Sequence, residues 1–448
     1  MKKLYIITLA AAALLSIGAS AQSFRSGYFL DNYVYGYRIN PAQVNEKGFV
    51  GVAIGNIDLQ NTSNIGVSSL LFPNGNSLVT GLNKAISADT FLGGLKQNNF
   101  ISLDESINVF SLGISNGRRM HTVELNARVM SSQNLPYELF SLAKKGAPGT
   151  YNLGSLYASE NVIADLSYGY SQWINENLSV GGRLHLLLGV ANVSLNANNT
   201  SVTLGPDKIS ISPDLSMAMS GIIRANNKAD GSIDLSNIDT KGSPVGGFGA
   251  TVDLGVQYKS DMGLEAMFSV TDLGIISWQN KVSGTASGAF EYSGGNITFE
   301  GGTVKTDITD AINGITNTIN FKVGEGKSSV SMMPFNVAAG ARYHMPFYDK
   351  LSVGALATYH NAKYASWFDA RLGATVTPTP IVTVTGNIGY GTFGAVWGAA
   401  LDLHLGPVNL LVGMDSFIGK TGTIKGVPVP IPLGRFMQNV HVGLAFTF

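Results

Sequence analysis

The chain closes with NVHVGLAFTF, residues 439–448, and this stretch decides the fold. Every second residue from Val440 to Phe448 is valine, leucine or phenylalanine, and the residues between them are small or polar. Because successive side chains of a strand point to opposite faces, one face of such a strand is apolar and the other is not. A soluble sandwich buries the apolar face, whereas a membrane barrel turns it to lipid. Alternation alone leaves both possibilities open.

The same alternation recurs from about Gly48 to the end of the chain. It predicts about 14 strands, an even number of the kind that single-chain bacterial barrels have. The predicted strands cover about 48–57, 106–114, 120–131, 160–173, 178–195, 247–258, 264–277, 335–345, 351–360, 367–377, 381–391, 395–405, 408–416 and 436–448.

The connections between these strands alternate in length. Tight turns follow the even-numbered strands, and mostly long polar excursions follow the odd-numbered ones. Short periplasmic turns opposite long extracellular loops are typical of outer-membrane barrels, and a sandwich has no reason to show them. We therefore predict an all-β fold, a transmembrane antiparallel β-barrel over residues 48–448. Its long extracellular loops are predicted at about 58–105, 132–159, 196–246, 278–334 and 417–435.

Composition supports an exported barrel and excludes several other classes. Hydrophobic residues make up 45% of the chain and charged residues only 13%, against about 25% charged in ordinary globular domains. With 29 basic and 29 acidic residues, the chain lacks the basic surface that nucleic acid requires. It has no cysteine and only six scattered histidines, so we predict no disulfide, no metal site and no cofactor.

The first 21 residues have the three parts of a secretory signal peptide. Lys2 and Lys3 precede an apolar run that ends near Ile17, and Ala19-Ser20-Ala21 follows. The run is too short for a spanning helix, which needs roughly 20 apolar residues. We expect cleavage near Ala21 and export to the outer membrane of a Gram-negative bacterium.

The segment 22–47 precedes the first strand and does not alternate cleanly. It carries four tyrosines and ends in an Asn-Pro-Ala sequence. A barrel of about 14 strands has a lumen wider than its own side chains can fill. We therefore predict that this segment folds into the lumen as a plug or gate, formed by Tyr28, Tyr33, Tyr35, Tyr37, Asn40, Pro41 and Ala42.

The strand alternation places a set of charged residues on the inner face. Their signs are mixed, whereas an ion-selective porin tends to show a ring of one sign. Mixed charges can pair across the lumen and hold it together, which is the structural role we expect for most of them. The predicted lumen-lining residues are Glu124, Arg128, Arg183, His185, Arg342, His344, Asp369, Arg371, Asp402, His404 and Asp415, with Asp165, Asp253 and Glu265 beside them.

A catalytic site could start from His404 and Asp402, with Asp415 on the next strand. A triad also needs a nucleophile within hydrogen-bond reach of the base, and no serine-centred motif stands beside His404. We therefore predict that the protein is not an enzyme.

Aromatic residues near strand ends suggest contact with the membrane interface. Trp173, Trp278, Trp367 and Trp397, with Tyr168 and Tyr170 nearby, are interpreted as an aromatic girdle. The terminal aromatics Phe446 and Phe448 resemble the C-terminal signal for insertion of outer-membrane barrels. The expected partners are outer-membrane lipid and the barrel assembly machinery.

The whole arrangement resembles the long-chain fatty-acid transporter class of outer-membrane barrels. That resemblance rests on the signal peptide, the Asn-Pro-Ala sequence, the strand number and the C-terminal aromatic. More closely, SVTDLGIISW at 269–278, PFNVAAGARY at 334–343 and GPVNLLVGMDSF at 406–417 are similar to an outer-membrane family common in Bacteroidota and known as a domain of unknown function. In the transporter class the Asn-Pro-Ala segment belongs to a plug that gates hydrophobic substrates, a role that only Asn40, Pro41 and Ala42 could inherit.

We expect a porin-like, plugged passive channel for a hydrophobic or amphipathic small molecule, without energy coupling. The alternative is a non-transporting barrel that serves as a surface scaffold, adhesin or secretion-machine accessory. A continuous apolar pocket that meets the plug would favour transport, and a lumen closed by arginine–carboxylate pairs would favour the scaffold.

Overall fold

The structure is a computed structural model that describes residues 24–75, 77–205, 208–279, 282–287, 290–293, 298–300, 303–305, 321–324, 328–422 and 431–448. The predicted signal peptide, and parts of the predicted excursions at 278–334 and 417–435, lie outside these residues. None of the helices in the described ranges is long and apolar enough to cross a bilayer.

Within these ranges, 14 long antiparallel strands form a closed barrel, as predicted. Each strand pairs with the next in sequence, because tight turns and excursions join neighbours only. The strands are β1 Phe49–Ser63, β2 Asn98–Ser115, β3 Arg119–Pro136, β4 Tyr157–Trp173, β5 Leu178–Ala197, β6 Gly247–Lys259, β7 Leu264–Trp278, β8 Phe335–His344, β9 Leu351–Asn361, β10 Trp367–Thr379, β11 Val382–Gly391, β12 Gly394–Leu405, β13 Val408–Phe417 and β14 Phe436–Thr447.

The barrel closes between the first and the last strand. β1 and β14 are antiparallel, with register partners from Phe49↔Thr447 to Ser63↔Phe436. The backbone N–H of Phe448 also donates to the Gly48 carbonyl at 2.9 Å. Closure removes both sheet edges, so the backbone polar groups are satisfied inside the sheet.

The outer face is apolar and the inner face is polar. Val384, Leu401, Val412 and Val442 are register partners on four successive strands, and the first three are 46%, 40% and 48% exposed. Inward neighbours such as Asp402 are buried. This inside-out pattern in a closed barrel is that of an outer-membrane protein whose exterior lies in hydrocarbon. Phe446 and Phe448 belong to the same outer face, at the end of β14.

The connections are short at one end and mostly long at the other. Residues 116–118, 174–177, 260–263, 345–350, 380–381 and 406–407 form the short turns. The excursions at the opposite end contain the helices Val67–Leu70, Ala88–Leu92 and Tyr137–Lys145. Their strands are Leu71–Asn74, Ser77–Thr80, Gly149–Asn152, Ser201–Leu204, Lys208–Ser212, Asp214–Gly221, Arg224–Asn227, Ile233–Asp239, Val282–Ser287, Phe290–Ser293, Thr298–Glu300, Thr303–Lys305, Lys322–Gly324, Ser329–Met332, Thr421–Gly422 and Ile431–Pro432.

Two sequence-based expectations need correction. β1 ends at Ser63 and β2 begins at Asn98, so the first excursion is shorter than the predicted 58–105. The polar residues of 58–62 suggested a loop, but the inner face of this barrel is itself polar. Trp278 and Trp367 are 2% exposed on the inner face, so they do not belong to an aromatic girdle.

Candidate functional site

The N-terminal segment, residues 24–47, packs against the inner wall of the barrel. It includes two short 3₁₀ helices, Arg25–Phe29 and Gly36–Arg38, and it joins β1 at the short-turn end. Its aromatic side chains are almost completely buried, with Phe24, Tyr35 and Tyr37 at 1%, 2% and 1% exposure. Since the wall is mostly polar, these rings supply much of the apolar packing inside the barrel.

Wall hydroxyls hold the backbone of this segment. Thr375 donates to the Phe29 carbonyl at 2.6 Å, and Ser269 donates to the Ile39 carbonyl at 2.7 Å. Further bonds of this kind run from Ser179 to Ala42, from Ser171 to Gln43 and from Ser115 to Asn45. These donors come from strands around the wall, so the path of the segment is fixed at many points.

The Asn40-Pro41-Ala42 turn lies on β5 and β6. The Asn40 side chain accepts from the Ala42 N–H at 3.1 Å and donates to the Val256 carbonyl at 3.3 Å. Gly181 and Gly255 face the turn, and an ideal Cβ at Gly181 would lie only 2.0 Å from the Pro41 carbonyl oxygen. The wall therefore lacks side chains at the point where this turn rests.

Glu124 of β3 joins the segment to the wall through two arginines. Its carboxylate accepts from Tyr37 and from Arg38 of the segment, each at 2.7 Å. Arg183 of β5 contacts the other carboxylate oxygen. Because all four groups are buried or nearly so, the positive charges are balanced by direct hydrogen bonds rather than by water.

His185 lies between two carboxylates on the same wall. Its ring nitrogens lie 2.9 Å from Asp165 and 3.0 Å from Asp253. Two ionised carboxylates can each accept a hydrogen bond from this ring when both of its nitrogens carry a proton. Arg128 reaches Asp272 at 2.7 Å and Asp165 at 3.5 Å, which extends the same network.

A second network surrounds the start of the segment. Arg371 contacts Asp369 at 2.9 Å and Asp415 at 2.6 Å. Asp415 also accepts from the backbone N–H of Arg25 at 2.9 Å and from the Ser26 hydroxyl at 2.6 Å. The Arg25 guanidinium lies 3.5 Å from Asp369 and 4.6 Å from the centre of the Trp367 ring.

The remaining predicted lining residues lie near the short-turn end. Arg342 contacts Glu265 at 2.6 Å and donates to the Leu30 carbonyl at 2.9 Å. It also lies 5.6 Å from the Tyr28 ring centre, and His344 lies 3.7 Å from Glu265. A separate pair, His404 and Asp402, is joined at 3.1 Å and has no hydrogen bond to the N-terminal segment among the described residues.

At least two small cavities lie between the segment and the wall. The larger, about 70 Å³, is lined by several charged groups, including Arg128, Asp165, Asp253 and Asp272. The smaller, about 30 Å³, lies beside Tyr28, Asn40 and Arg342. Such volumes hold a few water molecules. Neither of these two cavities is a continuous apolar pocket, because ion-paired side chains line both.

The sequence prediction missed several residues of this site. Asp58 contacts His441 at 2.6 Å, and His441 in turn contacts the Tyr33 hydroxyl at 3.0 Å. Asp58 was missed because the predicted β1 ended one residue before it. Asp272 faces inward at a register shift between β6 and β7, where simple alternation fails. The strand alternation could have placed the wall serines and threonines on the inner face. Nothing in the sequence indicated that their hydroxyls bind the backbone of the N-terminal segment.

Comparisons with known proteins give a family and several distant structural relatives. A Pseudomonas aeruginosa FadL homologue is 12% identical over 96% of this chain and 99% of its own, with a TM-score of 0.45. The CymD monoaromatic hydrocarbon channel is 10% identical over 98% and 96%, with a TM-score of 0.42. The Pseudomonas putida toluene transporter TodX is 9% identical over 96% and 98%, with a TM-score of 0.41. Likeness at this level transfers neither ligand nor mechanism.

No curated protein matches the sequence. A family model matches residues 41–415, which begin at Pro41 and include most of the barrel. The chain belongs to this family, DUF5723, a family of unknown function.

Proposed function

We propose that the protein is a passive, gated outer-membrane channel in which the N-terminal segment is the plug. The observation that supports this proposal is that residues 24–47 pack against the inner wall of the barrel but provide none of the strands that close it. The segment is covalently continuous with the wall only at Gly48, and its other ties are side-chain contacts. A segment attached in this way can move while the sheet stays closed.

The solute that we propose is a small amphipathic molecule. The lumen wall offers arginine, carboxylate and hydroxyl groups, and the segment offers tyrosine and phenylalanine rings. Displacement of the segment would uncover polar wall and apolar ring surfaces side by side. A molecule with both a polar group and an apolar body matches that pair of surfaces better than a pure hydrocarbon does.

A reversible tether tests whether the segment must move. The chain has no cysteine, so a pair introduced at Ser26 and Gly398 would be the only thiols. An ideal Cβ at Gly398 lies 2.2 Å from both the Ser26 hydroxyl oxygen and Asp415 Oδ1. The two positions therefore adjoin, and the overpacking that the added Cβ causes is present in the single variant Gly398→Cys as well. We expect Ser26→Cys/Gly398→Cys to give no KCl conductance in planar bilayers when oxidised, and gated conductance after reduction.

The single variants Ser26→Cys and Gly398→Cys, treated with the same oxidant, are the controls. Conductance that is unchanged by oxidation of the double variant would show that opening does not require movement at this position. Conductance that never occurs, in wild type or in any reduced variant, would reject the channel.

A non-transporting scaffold is the second candidate, and the ion-paired lumen favours it. Glu124, His185 and Arg371 each bind partners from other strands, as groups that only brace a barrel would. The long excursions would then carry the function as a surface scaffold, adhesin or secretion-machine accessory. In that case the tether would alter stability alone.

We also propose how the chain is exported and assembled, and that it is not an enzyme. Residues 1–21 act as a signal peptide that is cleaved near Ala21. The barrel assembly machinery recognises Phe446 and Phe448. The protein performs no catalysis. The terminal aromatics support the second point because they lie exposed on the outer face, at 41% and 67%.

A further inference from the structure

The outer face of β3 and β4 changes from charged to aromatic to aliphatic along one row of register partners. Starting at the short-turn end, the cross-strand pairs are Arg119↔Gln172, His121↔Tyr170, Val123↔Tyr168 and Leu125↔Leu166. Leu125 and Leu166 are 38% and 47% exposed, which places them on the lipid-facing surface. A phospholipid carries matching groups in the same order: an anionic phosphate, then the glycerol esters, then the acyl chains.

We propose that this surface binds one phospholipid of the leaflet at the short-turn end, with its phosphate held by Arg118 and Arg119. Both arginines are exposed, and neither forms an ion pair with any described residue. Glu176, in the adjacent β4–β5 turn, pairs with neither of them in the described part of the chain. A guanidinium fork binds a phosphate through parallel hydrogen bonds, so two such groups give charge complementarity at this point.

The turn that carries the two arginines is stabilised by the side chain of its first residue, Asn116. The Asn116 Oδ1 atom accepts from the N–H groups of Arg118 and Arg119 at 3.0 and 2.8 Å. Gly117 adopts a φ of 77°, in the left-handed region that favours glycine. The Arg118 carbonyl accepts from the Trp173 N–H at 2.9 Å, which joins the turn to β4. The backbone that carries the two guanidinium groups is therefore held in one conformation by these hydrogen bonds.

Next to the arginines, three rings form a polar-tipped cluster on the outer face. His121 Nδ1 lies 2.8 Å from the Tyr168 hydroxyl, and the His121 ring centre lies 4.9 Å from that of Tyr170. The Tyr170 hydroxyl donates to Gln172, so it too points toward the short-turn end. Tyrosine and histidine with this orientation suit the glycerol and ester level, where one end of a ring is apolar and the other is wet.

A gap beside Tyr170 leaves room for an acyl chain. The register partner of Tyr170 on β5 is Gly182, which faces outward and adds no side chain. Leu184 and Leu186, 49% and 56% exposed, continue the row toward the middle of the bilayer. Headgroup, interface and tail contacts thus follow one another on the same three strands.

Native mass spectrometry of the full chain in detergent tests the proposal. The probes are dioleoylphosphatidylglycerol, dioleoylglycerol without the phosphate, and inorganic phosphate. We expect one phosphatidylglycerol to be retained by the wild type, with weaker retention of dioleoylglycerol and no competition by inorganic phosphate. Arg118→Gln/Arg119→Gln should bind phosphatidylglycerol about tenfold more weakly, because each arginine near an anionic headgroup contributes to binding.

Arg224→Gln/Arg435→Gln removes two exposed arginines at the opposite end and is the matched control. Tyr168→Phe, which removes one hydroxyl, serves as a second test if the double arginine variant does not fold, and we expect a smaller loss. Equal binding of phosphatidylglycerol and dioleoylglycerol would overturn the proposal, as would unchanged binding by the arginine variant. Full competition by inorganic phosphate would indicate an anion site rather than a lipid site, and would also overturn it.

Discussion

Gly181 of β5 and Gly255 of β6 are register partners, and the Asn40-Pro41-Ala42 turn of the N-terminal segment rests on both. A Cβ at Gly181 would lie 2.0 Å from the Pro41 carbonyl oxygen, and one at Gly255 would lie 2.2 Å from Asn40 Oδ1. The wall and the segment are therefore complementary in shape at a position where two strands happen to lack side chains side by side.

Gly181→Ala should displace the segment while leaving the barrel closed. The added methyl group has no space on the inner wall, and overpacking of this kind costs about 1 to 3 kcal/mol. We expect a lower free energy of unfolding in urea and faster tryptic cleavage at Arg25 and Arg38. The adjacent Gly182→Ala is the control, because it faces outward and its Cβ would make ordinary contacts at 3.4 and 3.6 Å. Equal trypsin resistance in both variants would contradict the packing described here.

Glu124→Gln should destabilise the folded barrel. The substitution keeps the volume of the side chain but removes the carboxylate shared by Arg38 and Arg183, which leaves two buried guanidinium groups short of counter-charge. Breaking a buried pair in this way costs about 3 to 5 kcal/mol, measured here by urea unfolding. The control is Glu176→Gln in an exposed turn, for which we expect a change within about 0.5 kcal/mol. A loss of similar size in the control would show that the effect is not due to the network.

Leu401→Arg should impair assembly more than Leu405→Arg. Both side chains face outward on β12, but Leu401 lies deeper in the apolar band and Leu405 is the last residue of the strand. Arginine costs about 2 to 4 kcal/mol at the bilayer midplane and about 0 to 1 kcal/mol near the interface. The fraction of heat-modifiable barrel in membrane extracts measures the difference. The reverse order would mean that our inward and outward assignment, or the depth of β12, is wrong.

Phe446→Ala/Phe448→Ala should slow assembly without a comparable loss of stability. The two rings are exposed on the outer face, so their removal opens no cavity, and the Phe448 backbone bond to Gly48 remains. We expect reduced insertion by the purified assembly machinery and normal spontaneous folding into detergent micelles. Phe368→Ala, an outward aromatic on β10 with 46% exposure, is the control. An equal defect in spontaneous folding would refute a role in recognition.

Much of the fold could be predicted from the sequence because the signals are local. Strand alternation from Gly48 to Phe448, and the difference between short turns and long excursions, depend on residues next to one another in the chain. They predicted the strand number and a closed antiparallel barrel, which the structure confirms. The prediction failed at β1, where polar residues on the inner face resembled a loop, and at Trp278 and Trp367, whose positions near strand ends suggested lipid contact.

The sequence by itself determined that Glu124, His185, Arg371 and Asp415 belong to one polar face. Strand alternation shows on which face of the sheet a side chain lies, but it does not show which other side chains it contacts. Only the tertiary structure decided which groups meet. Asp415 accepts from Arg25, which lies 390 residues earlier, and Glu124 takes Arg38 of the segment as its partner. The contact between the Pro41 turn and Gly181 was likewise decided by the tertiary structure. A glycine in a strand indicates a contact site only when the segment that packs against it is known. Pairing across a closed barrel depends on register and on the path of the N-terminal segment, and neither is encoded in local periodicity.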